Sequence, residues 1–145
     1  MYAQTNIQLF NQVVSSGYAE PQLALIRNAY KLSTELFTGY FRPTGKTLLS
    51  HLLGTASIMI SLEQKTPLVV AALLHAAYTH GDFGGCAKGV TAFKRRRLTE
   101  LVGTETENYV FLYTNQPWSS LDGKTYLKKI KIMSDLKQDV LLLRV

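Results

Sequence analysis

The most constraining feature of this sequence is the stretch TPLVVAALLHAAYTHGDFGG, residues 66–85. Thr66 is predicted as the N-cap of a helix, with Pro67 at the first helical position, where its missing N–H costs nothing. Residues 68–74 are apolar on every face, so other helices must surround this one. His75 lies in the same helix, and a buried imidazole needs either a polar partner or a ligand. The stretch therefore predicts a central helix with a histidine inside the bundle.

Apolar residues at intervals of three and four predict helices on both sides of this central helix. Their predicted ranges are 4–16, 20–38, 46–62, 91–102, 104–114 and 127–145. Thr104, followed three residues later by Glu107, predicts a capping box. Alternating apolar and polar residues, the pattern of a half-buried strand, do not occur between turn signals. The predicted fold class is all-α, an irregular multi-helix bundle.

The composition predicts one soluble domain over residues 1–145. The chain is 46% hydrophobic and long enough to bury one core. It has no apolar run long enough for a membrane helix, and MYAQTNIQLF at the N-terminus lacks the blocks of a signal peptide. Cys86 is the single cysteine, so no intramolecular disulfide forms. We expect a cytoplasmic protein without a membrane partner.

Most of the net charge of +6 belongs to the second half of the chain, including the run Lys94–Arg97. Such an excess attracts phosphates, nucleic acid or an acidic partner. The run is interpreted either as a solvated helix face or as a phosphate contact. No aromatic residues interleave with it to stack on bases, so nucleic acid is not expected as a partner.

Two segments, RPTGKTLLSH at residues 42–51 and AALLHAAYTH at residues 71–80, contain the three histidines of the chain. Together they resemble the HD-domain superfamily of metal-dependent phosphohydrolases, in particular the RelA/SpoT type that hydrolyses (p)ppGpp. The resemblance implies that His51 and His75 are ligands of a divalent metal such as Mn²⁺. The alternative is that both are core or cleft histidines without a metal.

The match to this family fails directly after His75. Ala76 stands where the family has its defining aspartate, and Thr79 and His80 stand in place of a glutamate–aspartate pair. Loss of these carboxylates removes a ligand and the negative charge that offsets a hard cation. Within the resemblance, His80 and Asp82 are the remaining candidates for catalytic proton transfer.

The turn that precedes His51 is the candidate substrate-binding segment. In the resembling hydrolases this turn contacts the nucleotide, which implies Arg42, Thr44 and Lys46 as substrate-binding residues. A lysine at a helix start also adds positive charge to free N–H donors. The alternative interpretation is an ordinary solvated turn between helices.

The C-terminal segment SDLKQDVLLLRV, residues 134–145, looks like the family helix that leads to a fourth ligand, an aspartate. In this register the aspartate would fall just beyond Val145. The predicted helix also stops without a cap or polar tail. We expect a single HD-like domain truncated at its C-terminus, followed by further sequence that holds another domain or binds a protein partner.

Two functions remain open from the sequence. The first is a divergent HD-superfamily pseudoenzyme, unable to hydrolyse (p)ppGpp, that binds a ligand or a protein partner through the same cleft. The second is a metal-dependent phosphohydrolase acting on a phosphorylated or nucleotide-like small molecule, with His51 and His75 on the metal. The missing acidic residues favour the first function where (p)ppGpp is concerned.

Overall fold

A computed structural model describes residues 2–85, 87–116 and 135–144. The helices, in chain order, are α1 (Asn6–Ser15), α2 (Glu20–Phe37), α3 (Leu48–Ser61), α4 (Thr66–Leu74), α5 (Ala77–His80), α6 (Ala92–Val102), α7 (Thr104–Thr114) and α8 (Asp135–Leu142). Within the described ranges the extended pairing is limited to an isolated antiparallel bridge between Phe41 and Thr47. The fold is an all-α multi-helix bundle, as predicted.

Helix α4 forms the centre of the bundle. Residues 68–74 are fully buried, and the helix packs against α2, α3 and α7. Each buried Leu or Val side chain contributes about 1.5–3 kcal/mol, which explains why a helix without a polar face is enclosed. Ser33 of α2 donates a hydrogen bond of 2.7 Å to the Leu73 carbonyl, which has no partner within the helix because it lies in the last turn.

Both ends of the central helix differ from the prediction. Thr66 is not the N-cap, because Lys65 occupies that position without a side-chain cap, and the Thr66 hydroxyl instead accepts from Gln22 Nε2 (2.8 Å). At the other end the helix stops at His75, and the short α5 begins again at Ala77. The stretch is therefore two helical segments with a break at the histidine.

A hydrogen-bonded hairpin of residues 40–48 connects α2 to α3. The Arg42 N–H donates to the Lys46 carbonyl (2.8 Å), and the Gly45 N–H donates to the Arg42 carbonyl (2.9 Å). Gly45 has a φ of +81°, a left-handed conformation that glycine adopts without steric cost. These bonds fix the backbone of Arg42 at the start of α3.

The chain leaves α5 through Gly81, whose lack of a side chain is required. A Cβ atom at this position would lie 2.5 Å from the Ala77 carbonyl oxygen. The next residue, Asp82, donates its N–H to the Leu36 carbonyl at the end of α2 (3.0 Å). This bond holds the end of α5 against α2.

The capping box predicted at Thr104 is wrong, because Gly103 is the N-cap of α7 and makes no side-chain cap. Glu107 is buried and pairs elsewhere. Its carboxylate accepts two hydrogen bonds of 2.7 Å from Arg95 and one of 2.6 Å from Tyr78. A tertiary network across α5, α6 and α7 therefore replaces the local cap.

The cationic run at the start of α6 is only partly a solvated face. Lys94 is 5% exposed, and its ammonium donates to the carbonyls of Ala87 (2.8 Å) and Gly89 (2.9 Å). The glycine-rich loop folds back over this side chain, which sequence periodicity does not show. Arg96, in contrast, is largely exposed and pairs with Glu100.

The last described helix, α8, packs against α7. Asp139 accepts a hydrogen bond from Tyr109 (2.8 Å) and pairs with Lys65 (3.1 Å). The prediction of a helix at 127–145 is met by α8 in part, and residues 127–134 lie outside the described residues. Among the helices that the structure describes, none has the length and apolar character to cross a membrane.

Candidate ligand cavity

A cavity of about 320 Å³ opens where the hairpin, α3, the end of α4, α5 and α7 meet. Its volume is at the lower end of the range usual for small-molecule sites. Its walls consist of Tyr40, Phe41, Arg42, Pro43, Leu48, His51, His75, Ala76, Thr79, His80 and Tyr113. The two histidine-bearing segments singled out from the sequence thus line one cavity.

His75 forms the floor of the cavity and is almost fully buried. Its Nδ1 lies 2.8 Å from the Ala72 carbonyl oxygen. A carbonyl only accepts, so this contact assigns the proton of the neutral ring to Nδ1 and leaves Nε2 as an acceptor. The ring also packs edge-on against Tyr113, with centroids 4.7 Å apart. The break after α4 therefore holds His75 in one tautomer, with its proton on Nδ1.

His51 projects from the first turn of α3 toward His75. The two ring centroids are 5.3 Å apart and the rings are nearly perpendicular, at 88°. Arg42 Nη1 lies 3.1 Å from His51 Nδ1. A guanidinium only donates, so Nδ1 of His51 accepts and the proton of the neutral ring belongs to Nε2.

Both imidazoles are held in the neutral form. Burial is the main cause that lowers the pKa of His51 to about 4, and the charges of Arg42 and Lys46 act in the same direction. Burial also lowers the pKa of His75 to about 4, against the opposing effect of its hydrogen bond to Ala72. The fixed positive charge of the cavity is therefore that of Arg42, with two neutral imidazoles beside it.

The other predicted site residues divide between the cavity and its surroundings. His80 lines the cavity at the end of α5. Asp82 lies outside the lining, where its side chain accepts a hydrogen bond of 2.8 Å from the Gly84 N–H. Thr44 and Lys46 belong to the hairpin but do not line the cavity. The structure thus gathers Arg42 and the three histidines and leaves the candidate carboxylate aside.

The sequence profile of a family described as "Domain of unknown function (DUF6817)" matches residues 33–117. The chain belongs to this family. Every residue that lines the cavity lies within the DUF6817 match. The family domain therefore contains the whole described site.

A curated relative of this DUF6817 chain is a "GTP pyrophosphokinase" from Myxococcus xanthus. The two are 29% identical over 126 residues, which represent 87% of the present chain. The same alignment covers only 14% of the relative, so the chain spans a small part of that protein.

The donors of the cavity do not fit a metal site. In residues 2–85, 87–116 and 135–144, no group of three or more His, Cys, Asp or Glu side chains is placed to hold an ion. Of the two histidines implied as ligands, His51 has its Nδ1 engaged by Arg42. Ala76, which stands where the resembling HD-domain hydrolases have an aspartate, lines the cavity and brings no donor.

Sequence reasoning missed the aromatic rim of the cavity. Phe41 is 68% exposed and Tyr40 is 41% exposed, although both line the cavity mouth. Their adjacency to Arg42 was visible in the sequence.

Proposed function

We propose that this domain is an HD-type domain related to RelA/SpoT proteins that binds a phosphorylated, nucleotide-like small molecule and does not hydrolyse (p)ppGpp. The observation that carries the proposal is the charge of the cavity. Arg42 and three histidines line it, and no carboxylate is among its lining residues in the described part of the chain. A concave, cationic site of this kind attracts anions.

The aromatic rim supports the nucleotide-like character of the ligand. Phe41 is an exposed phenylalanine on the hydrogen-bonded hairpin, and it lines the same cavity as Arg42. Planar bases stack on such faces, while phosphate groups pair with arginine. The proposed ligand therefore places its phosphates inside the cavity and its ring against Phe41.

The similarity to a GTP pyrophosphokinase supports a connection to guanine nucleotide chemistry. The shared segment is a small fraction of that protein, so its own activity is not transferred to this chain. Our proposal is therefore limited to the cavity that the DUF6817 domain itself contains.

Isothermal titration with ppGpp, GDP and inorganic pyrophosphate, in buffer containing EDTA, tests the binding. We expect the tightest binding for ppGpp, one molecule per chain. Thr79→Trp places a large side chain at the cavity wall from an exposed position on α5 and should abolish binding. Thr104→Trp, also exposed but outside the cavity, is the matched control. Equal binding by both variants would refute the site.

A hydrolysis assay with Mn²⁺ tests the second half of the proposal. We expect no release of pyrophosphate from ppGpp, because the described lining of the cavity has no acidic side chain to orient and activate a water. The competing function, a metal-dependent phosphohydrolase, is supported by the 5.3 Å approach of the His51 and His75 rings. Mn²⁺-dependent turnover that disappears in His75→Ala would establish that function instead.

A further inference from the structure

We propose that Arg42 takes over the charge of the metal ion in this cavity, so that the site binds anionic groups with a built-in cation and keeps divalent metals out. The starting observation is the 3.1 Å contact from Arg42 Nη1 to His51 Nδ1. The anion-binding half rests on the proposed function. The metal-excluding half does not depend on it.

The nitrogen lone pairs of His51 and His75 determine whether the two rings can bind a metal ion. A histidine binds a metal through an unprotonated ring nitrogen. Arg42 occupies that nitrogen in His51, and the other nitrogen of the neutral ring carries the proton. In His75 the Ala72 carbonyl occupies Nδ1. One open lone pair remains between the two rings, and the described residues, His80 included, form no group of three His, Cys, Asp or Glu side chains placed to hold an ion. These donors are too few for a stable metal site.

The charge of Arg42 also opposes a metal ion in the cavity. Lys65, Arg95, Arg96 and Arg97 form ion pairs with acidic side chains. Arg42 has no such acidic partner in the described part of the chain, so no described carboxylate neutralises its charge in the cavity. A dication placed between the two imidazoles would meet this guanidinium at close range, where like charges repel strongly.

The guanidinium of Arg42 suits an anionic ligand in place of a metal ion. It has five N–H donors in a planar fork, and one contact to His51 leaves the others for a ligand. Such a fork matches two phosphate oxygens at once. The hydrogen-bonded hairpin fixes the backbone of Arg42, so the fork is held at the cavity before the ligand arrives. The class of ligand is a phosphate or pyrophosphate group.

The decisive experiment measures two probes, Zn²⁺ alone and inorganic pyrophosphate alone, on the same set of full-length variants. Arg42→Met removes the charge and the donors while keeping a long apolar stem. Arg96→Met, at an exposed site on α6, is the matched control. Arg42→Lys restores the charge without the fork.

For Zn²⁺, we expect Arg42→Met to bind at least about tenfold more tightly than the unmodified chain, because a repelling charge is lost and a nitrogen is freed. For pyrophosphate in EDTA, we expect Arg42→Met to bind about tenfold or more weakly, with partial recovery in Arg42→Lys. Arg96→Met should change neither affinity.

Unchanged Zn²⁺ affinity in Arg42→Met, or tight Zn²⁺ binding by the unmodified chain through His51, would overturn the proposal. A gain in Zn²⁺ affinity without any pyrophosphate binding would support metal exclusion and refute the proposed function. Nitrogen-15 NMR of the histidine rings provides a test without any substitution. We expect His51 to carry its proton on Nε2, and a proton on Nδ1 would contradict the contact with Arg42.

Discussion

The short helix α5 contributes to two polar clusters whose charges are balanced in different ways. In the first cluster, Tyr78 donates to the buried carboxylate of Glu107, and Arg95 pairs with both oxygens of the same carboxylate. The guanidinium also lies over the ring of Phe111, 4.2 Å from its centroid. Each charge in this cluster has an opposite charge within the fold.

The second cluster is the ligand cavity, which α5 also lines. Here Thr79 and His80 of α5 share the lining with Arg42, His51 and His75. Here the cation has neutral imidazoles for neighbours and no acidic partner among the described residues. A buried polar cluster that is complete by itself stabilises a fold. One that lacks a counter-charge is a place where a ligand completes the network.

Arg95→Met should have the largest effect, because it removes the cation of the Glu107 cluster. The substitution leaves the Glu107 carboxylate buried without a cation, which costs about 3–5 kcal/mol of folding free energy. Urea unfolding monitored by circular dichroism measures the loss. Arg96→Met, its exposed neighbour, should change stability by less than about 0.5 kcal/mol. Equal effects of the two substitutions would show that the Glu107 cluster is not a structural element.

The neutral histidines of the cavity should make the stability of the fold depend on pH. The pKa of His75 is lowered to about 4, mainly by burial. Its usual value is 6.5, so the unfolded chain takes up protons first as the pH falls. The free energy of folding that neutral His75 contributes is fully present above pH 6.5 and is lost as the pH falls from 6.5 to 4.

From this residue alone we expect a loss of about 2 kcal/mol between pH 7 and pH 5. Urea midpoints at the two pH values measure the total loss, to which His51 contributes in the same direction because its pKa is also lowered to about 4. His75→Gln should therefore remove about half of the pH dependence. A stability that does not change over this range would contradict a buried, neutral His75.

Phe41→Ala should produce the smallest effect, and only on ligand selection. Loss of a stacking ring weakens binding of a base-containing ligand by about 1–2 kcal/mol. Titration should therefore show weaker binding of ppGpp with unchanged binding of pyrophosphate, which has no ring. Phe93→Ala removes another exposed ring, outside the cavity, and serves as the control. A parallel loss for both ligands would mean that Phe41 supports the hairpin rather than the base.

The sequence predicted the helical fold well because apolar periodicity and glycine positions act locally. The fully apolar residues 68–74 required a central helix, and the histidines in the two matching segments do line one cavity. The caps at Thr66 and Thr104 were wrong, the first because of a tertiary contact and the second because the N-cap is the preceding residue. Gln22 binds the first side chain, and Gly103 replaces the second at the helix start.

The detailed site depended on contacts that spacing does not reveal. Arg42 and His51 are brought together by the hairpin, and their hydrogen bond changes which nitrogen carries the proton. Asp82 is drawn away from the cavity because its backbone is bound to the Leu36 carbonyl. Neither contact follows from the helical pattern, since both depend on the path of a loop.

The enclosure of α4 has a consequence for how the chain is made. Helices α2 and α3 precede it, but α7, which covers another side, is synthesised later. Until residue 114 has left the ribosome, one side of a wholly apolar helix stays uncovered, and exposed apolar surface promotes aggregation. We therefore expect the nascent chain to be a target for chaperones during the interval between the completion of α4 and the docking of α7.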